Sequence, residues 1–135
     1  MPVLTKLTMT GSITGTVSSF NMPGYTMSIA VAGSGDVAAH NITAKNLKLK
    51  ISGSGSFGAT GKAQNLEGSI SGSGNIKTTR LETEDADISI SGSGSAKVWV
   101  TDFLAVHISG SGSIGYKGNP IIDRRISGSG RLYHW

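Results

Sequence analysis

Ile51-Ser52-Gly53-Ser54-Gly55-Ser56-Phe57 decides the fold, because the chain writes it repeatedly. The same Ile-Ser-Gly-Ser-Gly, followed by one polar and one small or apolar residue, stands at Ile70–Ile76, Ile90–Ala96, Ile108–Ile114 and Ile126–Leu132. Val31–Val37 is a variant with Ala32 in place of the first serine. The first glycine falls at 33, 53, 72, 92, 110 and 128, in steps of 20, 19, 20, 18 and 18 residues. A unit this short cannot bury its apolar side alone; it must stack on its neighbours, coil upon coil.

Between the repeats the pattern has period two. Leu47, Leu49 and Ile51 alternate with Lys48 and Lys50, so the apolar residues face one way and the lysines the other. The same inward set recurs as Leu66, Gly68, Ile70; Ala86, Ile88, Ile90; Leu104, Val106, Ile108; and Ile122, Arg124, Ile126. Asn46, Asn65 and Asp85 precede three of these sets and read as a corner, since Asn and Asp tolerate the left-handed conformation and cap their own turns. No stretch of ten residues carries the helical period, and Gly and β-branched residues dominate. The expected fold is therefore all-β: a single-stranded parallel β-helix, or β-solenoid, with coils of 18–20 residues. About seven coils at a strand spacing of ~4.8 Å make a rod on the order of 30 Å long. A right-handed coil is favoured, although Ile108, Ile114, Ile126 and Leu132 keep the six-residue spacing of left-handed β-helices. Ile51, Ile70, Ile90, Ile108 and Ile126 are expected in one stacked internal column.

The glycines of Ser-Gly-Ser-Gly have two candidate tasks: positive φ at a corner, and removal of side chains where coil walls approach closely. Serines such as Ser52 and Ser71 would form outward hydroxyl ladders. Arg124 falls in the inward column, where an unpaired guanidinium is costly. A bulge over Pro120–Asp123 that turns Arg124 outward is the expected relief.

By length the 135 residues form one domain. Residues 1–32 read as a divergent N-terminal coil or cap, 33–132 as the repeats and 133–135 as the C-terminal end, with Tyr133 and Trp135 covering the last coil. The 37% hydrophobic content suits a thin core. The net charge of +4 is mild and no basic run exceeds Arg124-Arg125, so a nucleic-acid partner is not expected. With no Cys there is no disulfide and no thiolate chemistry. Met1–Leu7 lacks the apolar run of a signal peptide, and no segment reaches transmembrane length.

Few residues suggest chemistry. Glu82, Glu84, Asp85 and Asp87 form the acidic cluster, with Glu82 and Glu84 on one side of a strand, as in β-helices that bind or cleave polysaccharides. The bland alternative is a solvated strand and corner. Trp99 lies between Val98 and Val100; with the valines inward it faces out beside Lys97, a contact for a glycan or a second subunit. His40, His107 and His134 are scattered, and only Asp36 sits where a calcium roll would need a carboxylate, so neither metal nor cofactor is expected.

The tandem repeats, with Ile114-Gly115-Tyr116-Lys117-Gly118-Asn119-Pro120 before the final Ile126–Gly130, resemble the head GIN domain family of bacterial auto-transporter adhesins over about Val31–Leu132. The Tyr-Lys-Gly-Asn-Pro segment is the most specific part. The resemblance implies an exported β-helical domain of the cell surface, outer envelope or periplasm with no catalytic residues to carry over. Many family units carry Asp after Gly-Ser-Gly; here that position holds Asp36, Ser56, Asn75, Ser95, Ser113 and Arg131, so an acidic stripe is lost. The resulting expectation is a non-catalytic, adhesin-like or structural module whose partners are a glycan or cell-surface ligand and a second copy of the chain. The alternative is a polysaccharide-binding or polysaccharide-cleaving β-helix.

Overall fold

The alternation seen in Leu47–Ile51 belongs to one long strand that bends and runs on without losing its pairing. In the computed structural model, which describes residues 5–11, 14–18 and 21–134, the strands are β1 (Thr5–Gly11), β2 (Thr14–Ser18), β3 (Asn21–Gly33), β4 (Asp36–Gly53), β5 (Ser56–Gly72), β6 (Asn75–Gly92), β7 (Ser95–Gly110), β8 (Ser113–Lys117), β9 (Ile121–Ser127) and β10 (Arg131–His134). They form one sheet in which neighbouring coils pair in parallel, so the chain is a β-solenoid. Each of β4 to β7 is nearly a whole coil. In β4 the in–out alternation breaks where His40 and Asn41 both face out, and again at Lys45 and Asn46. Two consecutive outward residues mark a corner. With the Ser-Gly-Ser-Gly corner, these breaks divide the coil into three sides, residues 36–39, 42–44 and 47–52.

The third side builds the predicted column. Val31, Ile51, Ile70, Ile90, Ile108 and Ile126 are successive register partners. All are buried except Ile126, which the open last coil leaves half-covered. Outside, Ser52, Ser71, Ser91, Ser109 and Ser127 stack as the expected ladder, all exposed.

The two glycine tasks fall to different glycines. The first of each repeat, at 33, 53, 72, 92, 110 and 128, has φ between 105° and 123°. The second, at 55, 74, 94 and 112, is buried and faces the Val31–Ile90 column of the previous coil: a Cβ on Gly94 would stand 2.6 Å from Ile70 Cγ2. The ladder continues round this corner, Ser93 N donating to Gly72 O at 3.0 Å and Ser95 N to Gly74 O at 3.1 Å.

Three expectations need correction. Gly11, with the six repeat glycines, brackets about six turns rather than seven, because the first and last coils are incomplete. Asn46 and Asn65 are not left-handed; Asn65 Nδ2 donates to Asn46 Oδ1 at 2.8 Å and Asn46 Nδ2 to Thr26 Oγ1 at 3.2 Å, tying coil to coil. Among the described residues the non-glycine with positive φ is Asn41, at 56° on the neighbouring corner. There is no bulge at Arg124. β9 pairs with β7 in unbroken register, Arg124 opposite Val106, and Arg124 is exposed because no further coil covers its inward side. Trp135, expected to cover the final coil, lies outside the described residues.

Arg124 places an exposed charge in the inward column of β9, beside the half-covered Ile122 and Ile126, and a charge there opposes pairing with a further strand. Arg124→Val should therefore make the protein associate with itself more strongly than the wild type. Sedimentation velocity over a concentration series checks this; identical sedimentation of the two proteins would refute it.

Candidate functional site

Coil-length differences are taken up away from the Ser-Gly-Ser-Gly corner, and they create the local geometry around Trp99. Between β6 and β7 the register runs Thr78↔Val98 and then Glu82↔Trp99, so Thr79, Arg80 and Leu81 have no counterpart on β7. A second shift, between Thr83↔Val100 and Asp85↔Phe103, gives one residue back. Leu81 turns into the core while Arg80 stays exposed on this ledge.

At the same place lie the two buried polar side chains among the described residues, Thr78 and Thr83. A buried hydroxyl needs a partner. Thr78 Oγ1 donates to the Lys97 carbonyl at 2.9 Å, and Thr83 Oγ1 donates to the Trp99 carbonyl. Two residues expected to face a ligand are thus held by their backbones from inside the core. Neither threonine was singled out by sequence, though both occupy inward positions on a period-two strand.

Trp99 faces outward, half-exposed, between Val98 and Val100, which are fully buried. Its cationic neighbour is Lys117, whose Nζ stands 4.6 Å from the ring centroid. Lys97 lies exposed two residues back on the same outward side. Across the coils the outward column reads Thr43, Lys62, Glu82, Trp99, Lys117. The step of 18 residues from Gly92 to Gly110 carries Trp99 onto Lys117, so this pairing was present in the repeat arithmetic.

Glu82 and Glu84 face outward on either side of the buried Thr83. They border an open cleft with Lys45, Lys62, Thr101 and Asp102. Asp102 comes from the adjacent coil and was not anticipated; it is the residue gained at the second register shift. Asp85 and Asp87 belong to a different side, in a shallow groove with Glu67 and Phe103. None of the eight Asp and Glu is buried. Among the described residues no three His, Asp or Glu converge closely enough to hold a metal ion. No helix is long and apolar enough to cross a membrane.

Fold and surface together define a parallel β-solenoid with a closed apolar core and polar outward columns. The family described as "Putative auto-transporter adhesin, head GIN domain" matches residues 1–120, and the chain belongs to that family. The match takes in the N-terminal coil and stops before the Ile126–Gly130 repeat. No curated protein matches the chain. A crystal structure from Parabacteroides distasonis, described as a "Putative lipid binding protein", superposes with a TM-score of 0.87 at 32% identity over 97% of this chain. The chain spans 56% of that protein's length.

Proposed function

We propose that this chain is a non-catalytic ligand-binding module of a bacterial surface adhesin, with Trp99 at the centre of its contact surface. The observation that carries this reading is the placing of Trp99: a large aromatic ring held outward by two buried valines, its backbone tied to the core through Thr83. A half-exposed indole on a rigid strand offers a flat apolar surface to a sugar ring or a partner side chain at small entropic cost. Membership of an adhesin head-domain family supports the same reading and favours a cell-surface location.

The cleft of Glu82, Glu84 and Asp102 supports a second reading, polysaccharide cleavage, because carboxylates from two adjacent coils meet there. Their exposure and the nearby Lys45 and Lys62 favour binding over acid catalysis. The relative described as lipid binding suggests a third ligand class. The interior here is filled by stacked Ile, Leu and Val, so a lipid would have to meet the outside of the rod.

A glycan array probed with wild type and Trp99→Ala tests the proposal. Wild type should bind at least one class of glycan, and Trp99→Ala should weaken that binding about tenfold, or about 1.4 kcal/mol. Unchanged binding by a folded Trp99→Ala protein would move the contact surface elsewhere.

A further inference from the structure

We infer that the ligand is an acidic polysaccharide, held along the solenoid axis by a pair of stacked lysines beside Trp99; this rests on the adhesin reading above. The pair is Lys77 and Lys97. They are register partners on adjacent coils, both exposed and both outward. Register partners stand ~4.8 Å apart along the axis. Like charges directly opposite one another destabilise a sheet. The neighbours along this column are Gly58 on one side and Gly115 on the other, so no carboxylate in the column offsets the pair. Among the described residues the single ion pair joins Arg125 and Asp123, on another side of the coil. The lysine pair therefore makes no salt bridge within the described protein, and an external anion would supply its missing counter-charge.

The surroundings enlarge the positive field and give it a shape. Arg80 is exposed on the ledge that has no counterpart on β7. Lys62 and Lys117 stand in the Trp99 column, with half-buried Glu82 as its one acid. Two aromatic rings bracket Lys97. Trp99 follows it on the same outward side, and the Tyr133 ring lies over Gly115, where a Cβ would come within 2.8 Å of the ring. Gly115 thus leaves room for an aromatic ring next to a lysine. Alternating cations and flat rings suit a chain of sugars in which each ring can stack while its carboxylate or sulfate meets an ammonium. The backbones of Lys97 and Trp99 are tied to the core through Thr78 and Thr83, so little order has to be created on binding.

Charge alone would also suit an anionic membrane, but membrane docking needs apolar side chains among the cations. Of the exposed large hydrophobic residues, Phe103 and Ile121 lie in the corner column of Asp85, away from the lysines, and Tyr133, which does lie beside them, brings a ring with a polar hydroxyl rather than an aliphatic side chain. The open side of a rod, with cations on adjacent coils and rings beside them, fits an extended polymer better than a lipid surface.

The test is binding of the whole chain to alginate and heparin, with neutral dextran and phosphatidylglycerol vesicles as controls, over a series of salt concentrations. The variants are Lys77→Gln/Lys97→Gln, its charge-keeping counterpart Lys77→Arg/Lys97→Arg, and Trp99→Ala. Wild type should bind an acidic polymer more tightly than dextran, and the affinity should fall steeply as salt rises. The glutamine pair should lose about tenfold in affinity for that polymer and show a shallower salt dependence, while the arginine pair keeps both. Equal binding by the glutamine pair and wild type would overturn the inference. So would dextran bound as tightly as the acidic polymers, or vesicles preferred to both. A neutral glycan bound through Trp99, with the glutamine pair unaffected, would leave the adhesin reading standing and remove this one. Binding to no carbohydrate of either kind would remove both.

Discussion

Gly92→Ala should cost about 3 kcal/mol or more and leave the protein partly unfolded at ordinary temperature. Two independent penalties meet at this residue. Its φ of 123° lies outside what an L side chain adopts comfortably. The new Cβ would also stand 2.6 Å from the Gly72 carbonyl oxygen. That oxygen cannot retreat easily, because it accepts the Ser93 N–H at 3.0 Å in the corner ladder. Moving it shifts the coil beneath, whose own Gly72 is held in the same way against Gly53. Serine substitutions on the outward ladder, such as Ser91→Ala, provide the comparison and should cost within about 0.5 kcal/mol. Urea titration followed by circular dichroism reads both. A Gly92→Ala midpoint equal to that of wild type would mean that the corner can relax and that the column is less rigid than its geometry implies.

Ile90→Ala should cost ~2–5 kcal/mol, the usual range for a large-to-small change in a packed core. Ile90 is buried in mid-column between its register partners Ile70 and Ile108. Its Cγ2 also meets the position where Gly112 omits a Cβ. The hole left by alanine would open toward a glycine that cannot fill it, which favours the upper part of that range. Ile90→Val should cost ~0.5–1.5 kcal/mol. Ile126→Ala makes the contrasting case: half-covered at the open end, it should cost clearly less than Ile90→Ala. Equal losses at 90 and 126 would show that burial along the column does not set the energetics.

What could be read from residue order follows from where periodicity holds. The isoleucine column, the outward Ser52 ladder and the two uses of glycine repeat at one corner, so spacing alone locates them. Arg124 shows the first limit: the inward column was correctly assigned, but whether a further coil covers it is a property of the ends. The remaining limits lie at the corners near Asn41 and Asn46, where coils of different length absorb the excess. Trp99 meets Glu82 rather than Thr79, which a uniform 20-residue step would give, because the ledge of Thr79–Leu81 is skipped. Asp102 joined the Glu82 cleft for a related reason, the residue returned at the second shift. How many residues a corner absorbs depends on packing against the coil below, and no local pattern encodes it. Lys117 was different. The 18-residue step placed it beneath Trp99, while the local reading looked to Lys97, the neighbour in sequence.

The corner ladder has a mechanical side. Bonds such as Ser54 N to Gly33 O, Ser73 N to Gly53 O and Ser111 N to Gly92 O each join one coil to the one before it. They point along the axis of the rod, with their strands lying across it. A tether tugging at one end therefore pulls directly on a single rung, and the next rung feels the load only when the first has gone. The domain would yield like a tape peeled from its end, one loop at a time. Each released loop of 18–20 residues would add roughly 60–70 Å of slack. A load on one end could thus be relieved in small instalments while the coils that carry Trp99 still kept their shape.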